Sequence, residues 1–429
     1  MATDTGTGSI PTIDHKPHAA FFRQSGWLVL TTIVGGAMTF GVHFLNKGIT
    51  DAEYSIFVTL MMATACIPAM PLQMVFTQQS ASALATNRER QLAGMIRLAW
   101  FWTTALWIVG ALVVFFFQST IVKQWQLPSA AGLWVTMPMV LVSLWLPLFS
   151  GLMQGRQDFF WLGWTTIIGG IGRLAGAAGF VLMLSGGATG MMAGAFIGVG
   201  LSVAIGIWRT RDLWRLKPEP FNLKASMGEI LPLMLGFGAS QFMFTSDSMF
   251  VKAFFSNDAM KPYGAAGTLS RAVLWVVMPM AAVMFPKIVH AQAKSEKSNL
   301  FNIVVLGTAV MGVCGAIGLW IVGPLVVRIV FKSSDVDETI RLIPWYAGAM
   351  IPLALANVMV NDLLARKRYG VVPFMVLLAV AYGFTLPYML RHYPGSFVVA
   401  LQTLGAFTFL LFLVCAWFTW GVKSNAQNR

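Results

Sequence analysis

The sequence predicts an all-α membrane protein of twelve transmembrane helices in two lobes of six. The chain is 57% hydrophobic and only 10% charged, with a mean hydropathy of +0.71. Its apolar stretches repeatedly reach the roughly 20 residues that a helix needs to cross the hydrocarbon core of a bilayer. The longest polar connection lies at mid-chain and separates six such stretches from six others.

Each predicted span is an apolar run bounded by charged residues or by Gly, Pro or Asn. In the first half of the chain, these runs predict spans near residues 24–46, 52–76, 97–118, 131–154, 160–184 and 188–208. In the second half, they predict spans near residues 231–254, 263–289, 300–323, 341–364, 371–390 and 397–420. The start of the chain lacks the short apolar core and cleavage site of a signal peptide, so we expect a tail at 1–23 and an uncleaved first span.

The Lys and Arg residues predict the orientation, because cytoplasmic loops retain them. With the N-terminus inside, 19 of the 29 Lys and Arg residues lie on the cytoplasmic side, 8 on the opposite side and two within spans. Both termini are therefore predicted to be cytoplasmic. The net charge of +13 arises mostly from this bias, so it does not indicate nucleic acid binding.

The mid-chain connection RTRDLWRLKPEPFNLK, residues 209–224, predicts the division into lobes. We expect an N-lobe at 24–208, a linker at 209–230, a C-lobe at 231–420 and a cytoplasmic tail at 421–429. A weak internal repeat agrees, since AEYSIFVTL from Ala52 resembles KPYGAAGTL from Lys261 and pairs Tyr54 with Tyr263. Parallel repeats of this kind place a binding site between the lobes.

Two helices of the N-lobe carry glycines at intervals of four. Gly172 and Gly176 lie in the fifth span, and Gly190, Gly194 and Gly198 lie in the sixth. Small residues at this spacing let the backbones of two membrane helices approach closely. We therefore expect these glycines to form packing faces.

Three charged residues lie well inside predicted spans, where a charge needs a partner or a water-filled cavity. Asp247 precedes the outer end of the seventh span by eight residues, and Arg271 follows the outer start of the eighth span by eight residues. Both are thus about 12 Å deep on one helical hairpin, and we expect them to be neighbours. Arg173, in the fifth span, lies about 20 Å from the cytoplasmic end and at a similar level in the other lobe.

Three stretches resemble signature regions of the polysaccharide-transport branch of the multidrug/oligosaccharidyl-lipid/polysaccharide (MOP) exporter superfamily. They are ITDAEYSIF at 49–57, GLMQGRQDFFWLG at 151–163 and YGAAGTLSRAVLWVVMPMAAVMFPKIVHA at 263–291. The order of spans and loops is similar along nearly the whole chain. That branch includes the flippases of O-antigen type.

The resemblance implies two six-helix lobes around a central cavity that opens alternately to either face. It implies transport of an anionic polyprenyl-linked saccharide from the cytoplasmic to the outer leaflet of a bacterial inner membrane. H⁺ or Na⁺ would be the coupling ion, and glycosyltransferases of polysaccharide assembly would be the protein partners. The anionic head of such a lipid needs a wet and partly cationic path, which Arg173 and Arg271 fit.

Three interpretations of the charged trio remain open. Asp247 and Arg271 form a structural ion pair while Arg173 reaches toward the interface; or the arginines bind phosphate or an acidic sugar; or Asp247 carries H⁺ or Na⁺. Weaker cavity candidates are Gln241 in the seventh span, and Asn357 and Asn361 on one face of the tenth. Their amides would line the cavity or bond to a neighbouring helix.

The sequence contains no phosphate-binding GxxxxGK[ST] loop, no HExxH and no GxSxG element, so we expect neither enzyme activity nor a cofactor. The three cysteines lack the spacing of a metal site. A membrane glycosyltransferase or polymerase is one alternative, but the longest predicted outer loop, around residues 324–340, is short for a sugar site. An ion-coupled multidrug or metabolite exporter of the same superfamily is the other, and cationic drugs would favour a cavity with more acids than arginines.

Overall fold

The computed structural model describes residues 16–421, with gaps at 51–52, 55, 58–59, 62–63, 65–66, 125–126, 128, 256–259, 296–299 and 331–335. All regular secondary structure in the described residues is helical, which confirms the predicted all-α class. The first half of the chain forms α1 (Lys16–Gly41), α2 (Ala69–Ala85), α3 (Glu89–Gln124), α4 (Ala131–Gly155), α5 (Phe159–Ala178) and α6 (Gly187–Arg209).

The second half follows the short helix α7 (Arg211–Arg215). It forms α8 (Leu223–Phe254), α9 (Met260–Ala293), α10 (Leu300–Val330), α11 (Val336–Ala365), α12 (Val372–His392) and α13 (Phe397–Ala416). Short segments of 3₁₀ helix (Val42–Gly48, Tyr369–Val371) and π helix (Gly179–Met183, Trp417–Gly421) extend or join these helices.

The helices are those of a multi-pass membrane protein. Nine helices in the described part of the chain are long and apolar enough to cross a membrane, and α9, bent by 47°, makes a tenth when counted as one span. Helix α2 has only 17 residues, and α8 has 32 residues but carries a polar series that includes Gln241 and Asp247. The count of twelve spans therefore stays a prediction.

Several predicted boundaries differ from the structure. Helix α1 begins at Lys16, inside the predicted tail 1–23, and α3 spans Glu89–Gln124 where the sequence predicts a span at 97–118. The remainder of that tail and most of the predicted tail 421–429 lie outside the described residues.

Two further differences have a local cause. Helix α8 begins at Leu223, inside the predicted linker 209–230, because the Asn222 side chain caps it by accepting a hydrogen bond from the N–H of Ala225 at 3.0 Å. The predicted second span, 52–76, is interrupted at Pro68, whose ring removes a backbone donor, and α2 then continues nine residues past the predicted end, to Ala85. Hydropathy alone locates the apolar run but does not detect the Asn222 cap or the break at Pro68.

The linker packs against the first half of the chain. Arg97 of α3 donates hydrogen bonds to the carbonyls of Trp214 (2.7 Å) and Leu216 (3.0 Å), and Arg156 forms a salt bridge with Asp212 at 2.7 Å. Burial alone would raise the pKa of the Asp212 carboxyl, but the hydrogen bond and charge of Arg156 outweigh burial and lower that pKa. We call the end of the bundle that carries residues 209–222 the linker face.

The two halves share a hydrophobic core only toward the linker face. There, residues of the first half such as Phe76 and Phe149 join one core with Phe237 and Phe285 of the second half. Toward the opposite face, the first half has a separate core of its own, which includes Phe57, Leu60, Val181 and Met191. The halves are therefore joined at one end and packed independently at the other.

Polar side chains reinforce the contact between the halves. Gln154 of α4 accepts a hydrogen bond from the Gln73 amide at 2.8 Å and donates one to the Ala282 carbonyl of α9 at 2.9 Å. Beside it, Lys287 of α9 donates to the side-chain oxygen of Gln157 at 3.3 Å. Amides and an ammonium that bridge α4 and α9 thus hold the halves together near the linker face.

Candidate functional site

Asp247 is the buried carboxylate at the centre of the second half. It lies on α8 with no exposed surface, and one of its oxygens is 2.6 Å from a guanidinium nitrogen of Arg271 on α9. Its other oxygen accepts hydrogen bonds from two phenol groups, Tyr263 at 2.9 Å and Tyr346. The predicted pairing of Asp247 with Arg271 is confirmed, and the carboxylate has both oxygens bonded.

Arg271 forms the second layer of this cluster. The same guanidinium nitrogen that meets Asp247 also donates to the Ser248 hydroxyl at 3.0 Å. The guanidinium carbon lies over the rings of Phe244 and Tyr346, at 5.6 and 5.3 Å from their centroids. Charge pairing and cation–π contact together stabilise an arginine in a low-dielectric site. We call Asp247, Tyr263, Arg271 and Tyr346 the buried cluster.

Helical spacing and one glycine bring the cluster together. Tyr263, Gly267 and Arg271 recur every four residues on α9, so they share a face. A Cβ atom on Gly267 would lie only 3.1 Å from the Tyr346 ring and hydroxyl. The missing side chain thus leaves room for the phenol of α11 to reach Asp247.

A small cavity adjoins the buried cluster. It is lined from α8, α9 and α11 by residues that include Gln241, Phe244 and Asn357, and from α2 by Met70. The space open to the centre of a water molecule is about 10 Å³, which is room for about one water. Phe244 contacts both the cavity and Arg271, so the two features adjoin along α8.

The structure brings the three predicted amides into one region of the second half. Gln241 and Asn357 line the same cavity, and the Asn361 amide donates to the Asn357 carbonyl at 2.8 Å and to its side-chain oxygen at 3.1 Å. The cavity residues of the first half are limited to Met70 on α2. The small cavity therefore lies mainly within the second half and borders the seam between the halves.

Arg173 does not join the buried cluster. It lies on α5, where a Cβ atom on Gly198 of α6 would come within 2.7 Å of the Arg173 Cβ. Its Nε is buried without a hydrogen-bond partner, and within the described ranges no carboxylate lies within salt-bridge distance of it. Helix α5 contacts the 3₁₀ segment Val42–Gly48, where His43 hydrogen-bonds the Tyr54 hydroxyl at 2.7 Å. The predicted trio is thus a pair and a separate arginine.

The tyrosines of the cluster were not predicted as site residues. Tyr263 had one signal, its correspondence to Tyr54 in the internal repeat, whereas Tyr346 lies 99 residues from Asp247. Tyr382 of α12 is also fully buried, and its hydroxyl has no hydrogen-bond partner. Its ring centroid lies 6.4 Å from that of Phe242 on α8. Only packing of nonadjacent helices could reveal these contacts.

Chemically, the cluster is suited to holding a charge in place. Across the residues that the structure describes, no group of three His, Cys, Asp or Glu side chains could hold a metal ion. Its carboxylate, phenols and guanidinium are groups that bind ions and anionic or polar ligands.

The comparisons with known proteins identify the fold. No family model matches the sequence, and no curated protein matches it. A MATE structure in the straight conformation aligns with 94% of this chain and 95% of its own, with a TM-score of 0.77 and 12% identity. The Vibrio cholerae MATE transporter VcmN in the bent form aligns with 94% of this chain and 97% of its own, with a TM-score of 0.72 and 13% identity.

A third structure is described as the outward-facing conformation of a multidrug resistance MATE family transporter of the MOP superfamily. It covers 94% of this chain and 95% of its own, with a TM-score of 0.72 and 12% identity. At these identities the likeness establishes the fold alone. The chain therefore has the fold of MATE transporters, and its place in the polysaccharide branch stays a prediction.

Proposed function

We propose that this chain is a MOP-type membrane transporter that moves an anionic polyprenyl-linked saccharide between leaflets by alternating access. The observation that carries the proposal is the balance of buried charge. Asp247 is neutralised by Arg271, while Arg173 has no acidic partner in the described part of the chain. Arg173 is thus available to bind an anionic ligand, whereas Asp247 is already paired with Arg271.

This balance suits an anionic head group. A guanidinium binds phosphate or carboxylate through two parallel hydrogen bonds, and a buried one with an unbonded N–H gains most from such a ligand. A cationic drug would instead need a free carboxylate in the path. Asp247 already accepts bonds from Arg271, Tyr263 and Tyr346.

The packing of the halves supports alternating access. They share one core toward the linker face and have separate cores toward the opposite face. With the linker face cytoplasmic, as the Lys and Arg distribution predicts, this packing is that of a state open to the outside. We place the transporter in the bacterial inner membrane. Glycosyltransferases of polysaccharide assembly would supply its substrate there.

An ion-coupled multidrug or metabolite exporter is the second candidate. One of the similar structures is a multidrug resistance transporter, and Asp247 with its phenol partners is a group that could carry H⁺ or Na⁺ once Arg271 moves away. The solved structures that share the fold are transporters, which gives the glycosyltransferase alternative no support.

The test is transport by purified protein in vesicles. A fluorescent polyprenyl-linked saccharide in the inner leaflet is followed by its exposure to a membrane-impermeant quencher outside. Arg173→Gln should lower the rate about tenfold or more, because hydrogen bonds to charged groups contribute about 1.5–3 kcal/mol. Arg173→Lys should recover part of the transport rate, since lysine keeps the positive charge but lacks the paired N–H donors of the guanidinium.

The matched control is Arg341→Gln, at an exposed position on α11, which should transport normally. Thermal stability of Arg173→Gln should equal that of the wild type, because no ion pair is lost. Normal transport by a well-folded Arg173→Gln variant would remove the cationic site. Efflux of a cationic dye that depends on an ion gradient and stops with Asp247→Asn would instead establish the multidrug alternative.

A further inference from the structure

An apolar groove runs along the lateral surface between α8 and α12. We call it the lateral groove. Its volume is about 450 Å³, and all of its lining residues are apolar or glycine. Four small residues form its floor, and two phenylalanines rise at its sides: Gly238, Ala239, Ala379 and Gly383, with Phe242 and Phe384.

The small residues create the groove, and its walls face the surroundings of the protein. A Cβ atom on Gly383 would lie 3.3 Å from the Phe242 ring, so a larger side chain there would fill the space. Phe242 is 38% exposed and Phe384 is 76% exposed. In a membrane, the groove is therefore open to the hydrocarbon and excludes polar groups.

The lateral groove and the small cavity lie on different faces of the same helix. On α8, Gln241 and Phe244 line the cavity, whereas Gly238 and Phe242 line the groove. The ring of Pro71 on α2 is the nearest group to Gly238, 3.9 Å from the position of its Cβ. The preceding residue, Met70, lines the cavity. The contact between α2 and α8, which we call the seam, thus lies between the small cavity and the lateral groove.

The seam is also where the second predicted span is interrupted. Helix α2 begins directly after Pro68, which has φ −76° and ψ 64° and lies outside the helical conformation. The Ala69 N–H bonds outside the helix, to the Ile67 carbonyl at 2.8 Å, and Pro71 has no N–H, so the first turn of α2 is held by fewer helical hydrogen bonds than a helix interior. The polar cavity, the α2–α8 seam and the apolar groove therefore lie next to one another, an order that matches a molecule with a polar head and an apolar chain.

We infer that the lateral groove holds the polyprenyl chain of the transported lipid while its head occupies the path between the halves. This inference rests on the proposed function and adds the site at which the polyprenyl chain is bound. Along α8 the groove residues run from Met234 to Phe250, which corresponds to about 24 Å of helix. Along α12 the lining runs only from Val376 to Phe384, about 12 Å of helix, so the part bordered by both helices covers somewhat less than half of the roughly 30 Å hydrocarbon core and would hold one section of a longer chain.

The first experiment fills the groove. Gly383→Leu should slow vesicle transport of the long-chain substrate about tenfold, because the leucine side chain occupies space between Gly383 and the Phe242 ring that the lipid chain would otherwise take. The same saccharide on a carrier of two isoprene units should move at the wild-type rate. Gly110→Leu is the matched control, since Gly110 is exposed on α3 with no atom within 4 Å of its Cβ position.

The second experiment uses wild-type protein, so it does not depend on the variant folding. A polyprenyl-linked saccharide with a diazirine near the chain end is photolysed in vesicles, and labelled peptides are mapped by mass spectrometry. Labels on the groove residues of α8 and α12 support the inference. Equal labelling there by a diazirine phosphatidylcholine would overturn it, because the groove would then hold bulk lipid.

The outcomes separate the two proposals. If wild-type protein moves neither the long-chain nor the short-chain substrate, the proposed function fails and the inference fails with it. If wild type and Gly383→Leu move both substrates equally, or if the labels lie elsewhere, the proposed function stands and the groove assignment alone is wrong.

Discussion

The helices in the two halves of the molecule pack against one another through different kinds of residue. In the first half, α5 and α6 meet through glycines: a Cβ on Gly194 would lie 2.2 Å from the backbone nitrogen of Ala177, and one on Gly176 would lie 3.0 Å from the Gly194 Cα. In the second half, α8, α9 and α11 meet through a carboxylate, a guanidinium and two phenols. The α5–α6 contact thus consists mainly of small residues, with one hydrogen bond from the Ser202 hydroxyl to the Thr165 carbonyl at 2.8 Å, whereas the contact in the second half depends on charged and phenolic groups.

The difference separates two roles for a buried arginine. Arg271 has a carboxylate, a hydroxyl and two aromatic rings around it, so its charge is used within the fold. Arg173 stands beside the glycine contact; its Nε is buried and unbonded, as is that of Arg271, but within the described residues Arg173 has no carboxylate partner. Buried charges are normally paired, so the arginine without an acidic partner is the better indicator of an anionic ligand.

The internal repeat shows the same contrast at one position. Tyr54 and Tyr263 correspond in the repeat, and each places its hydroxyl on a titratable group of the preceding helical segment. In the first half that group is His43, at 2.7 Å, and in the second half it is Asp247, at 2.9 Å. The tyrosine is thus the same at this position of both repeats, whereas its hydrogen-bond partner is a histidine in one half and an aspartate in the other.

The largest effect is expected when the second half loses its ion pair. Arg271→Ala should destabilise the protein by about 3–5 kcal/mol, because it leaves Asp247 buried and uncompensated. Asp247→Asn combined with Arg271→Gln should recover most of the loss. The yield and melting temperature of purified protein measure both, and a fully stable Arg271→Ala would show that the buried cluster does not hold the second half together.

The next effect concerns the glycine contact of the first half. Gly194→Leu should destabilise the protein by up to about 3 kcal/mol, because overpacking forces the backbones of α5 and α6 apart. Gly200→Leu on the same helix is the control, since no atom lies within 4 Å of its Cβ position. Equal melting temperatures for the two variants would contradict the close approach of the helices.

The smallest effect distinguishes two buried phenols of the second half. Tyr346→Phe should cost about 1 kcal/mol, a typical value for a side-chain hydrogen bond inside a membrane protein, because Asp247 loses a donor. Tyr382→Phe should cost nothing or stabilise slightly, since it removes a buried hydroxyl that has no partner. Melting temperatures that fall equally would mean that the Tyr346 bond contributes no more than packing.

Much of this protein could be predicted from local pattern. Apolar length located the helices, glycine spacing located the α5–α6 contact, and equal depth on adjacent helices located the Asp247–Arg271 pair. Each of these depends on residues within one helix or on two helices joined by a short turn. Helical geometry is regular enough that sequence separation converts directly into distance and direction.

Only the tertiary structure decided what comes together from distant parts of the chain. Tyr346 reaches Asp247 from 99 residues away, and Met70 closes a cavity otherwise built from the second half. The isolation of Arg173 from the buried cluster and the lateral groove between α8 and α12 likewise have no signature in hydropathy. The physical reason is that helix periodicity determines which face a residue occupies, whereas the choice of neighbouring helix depends on how the side chains of all the helices pack at once.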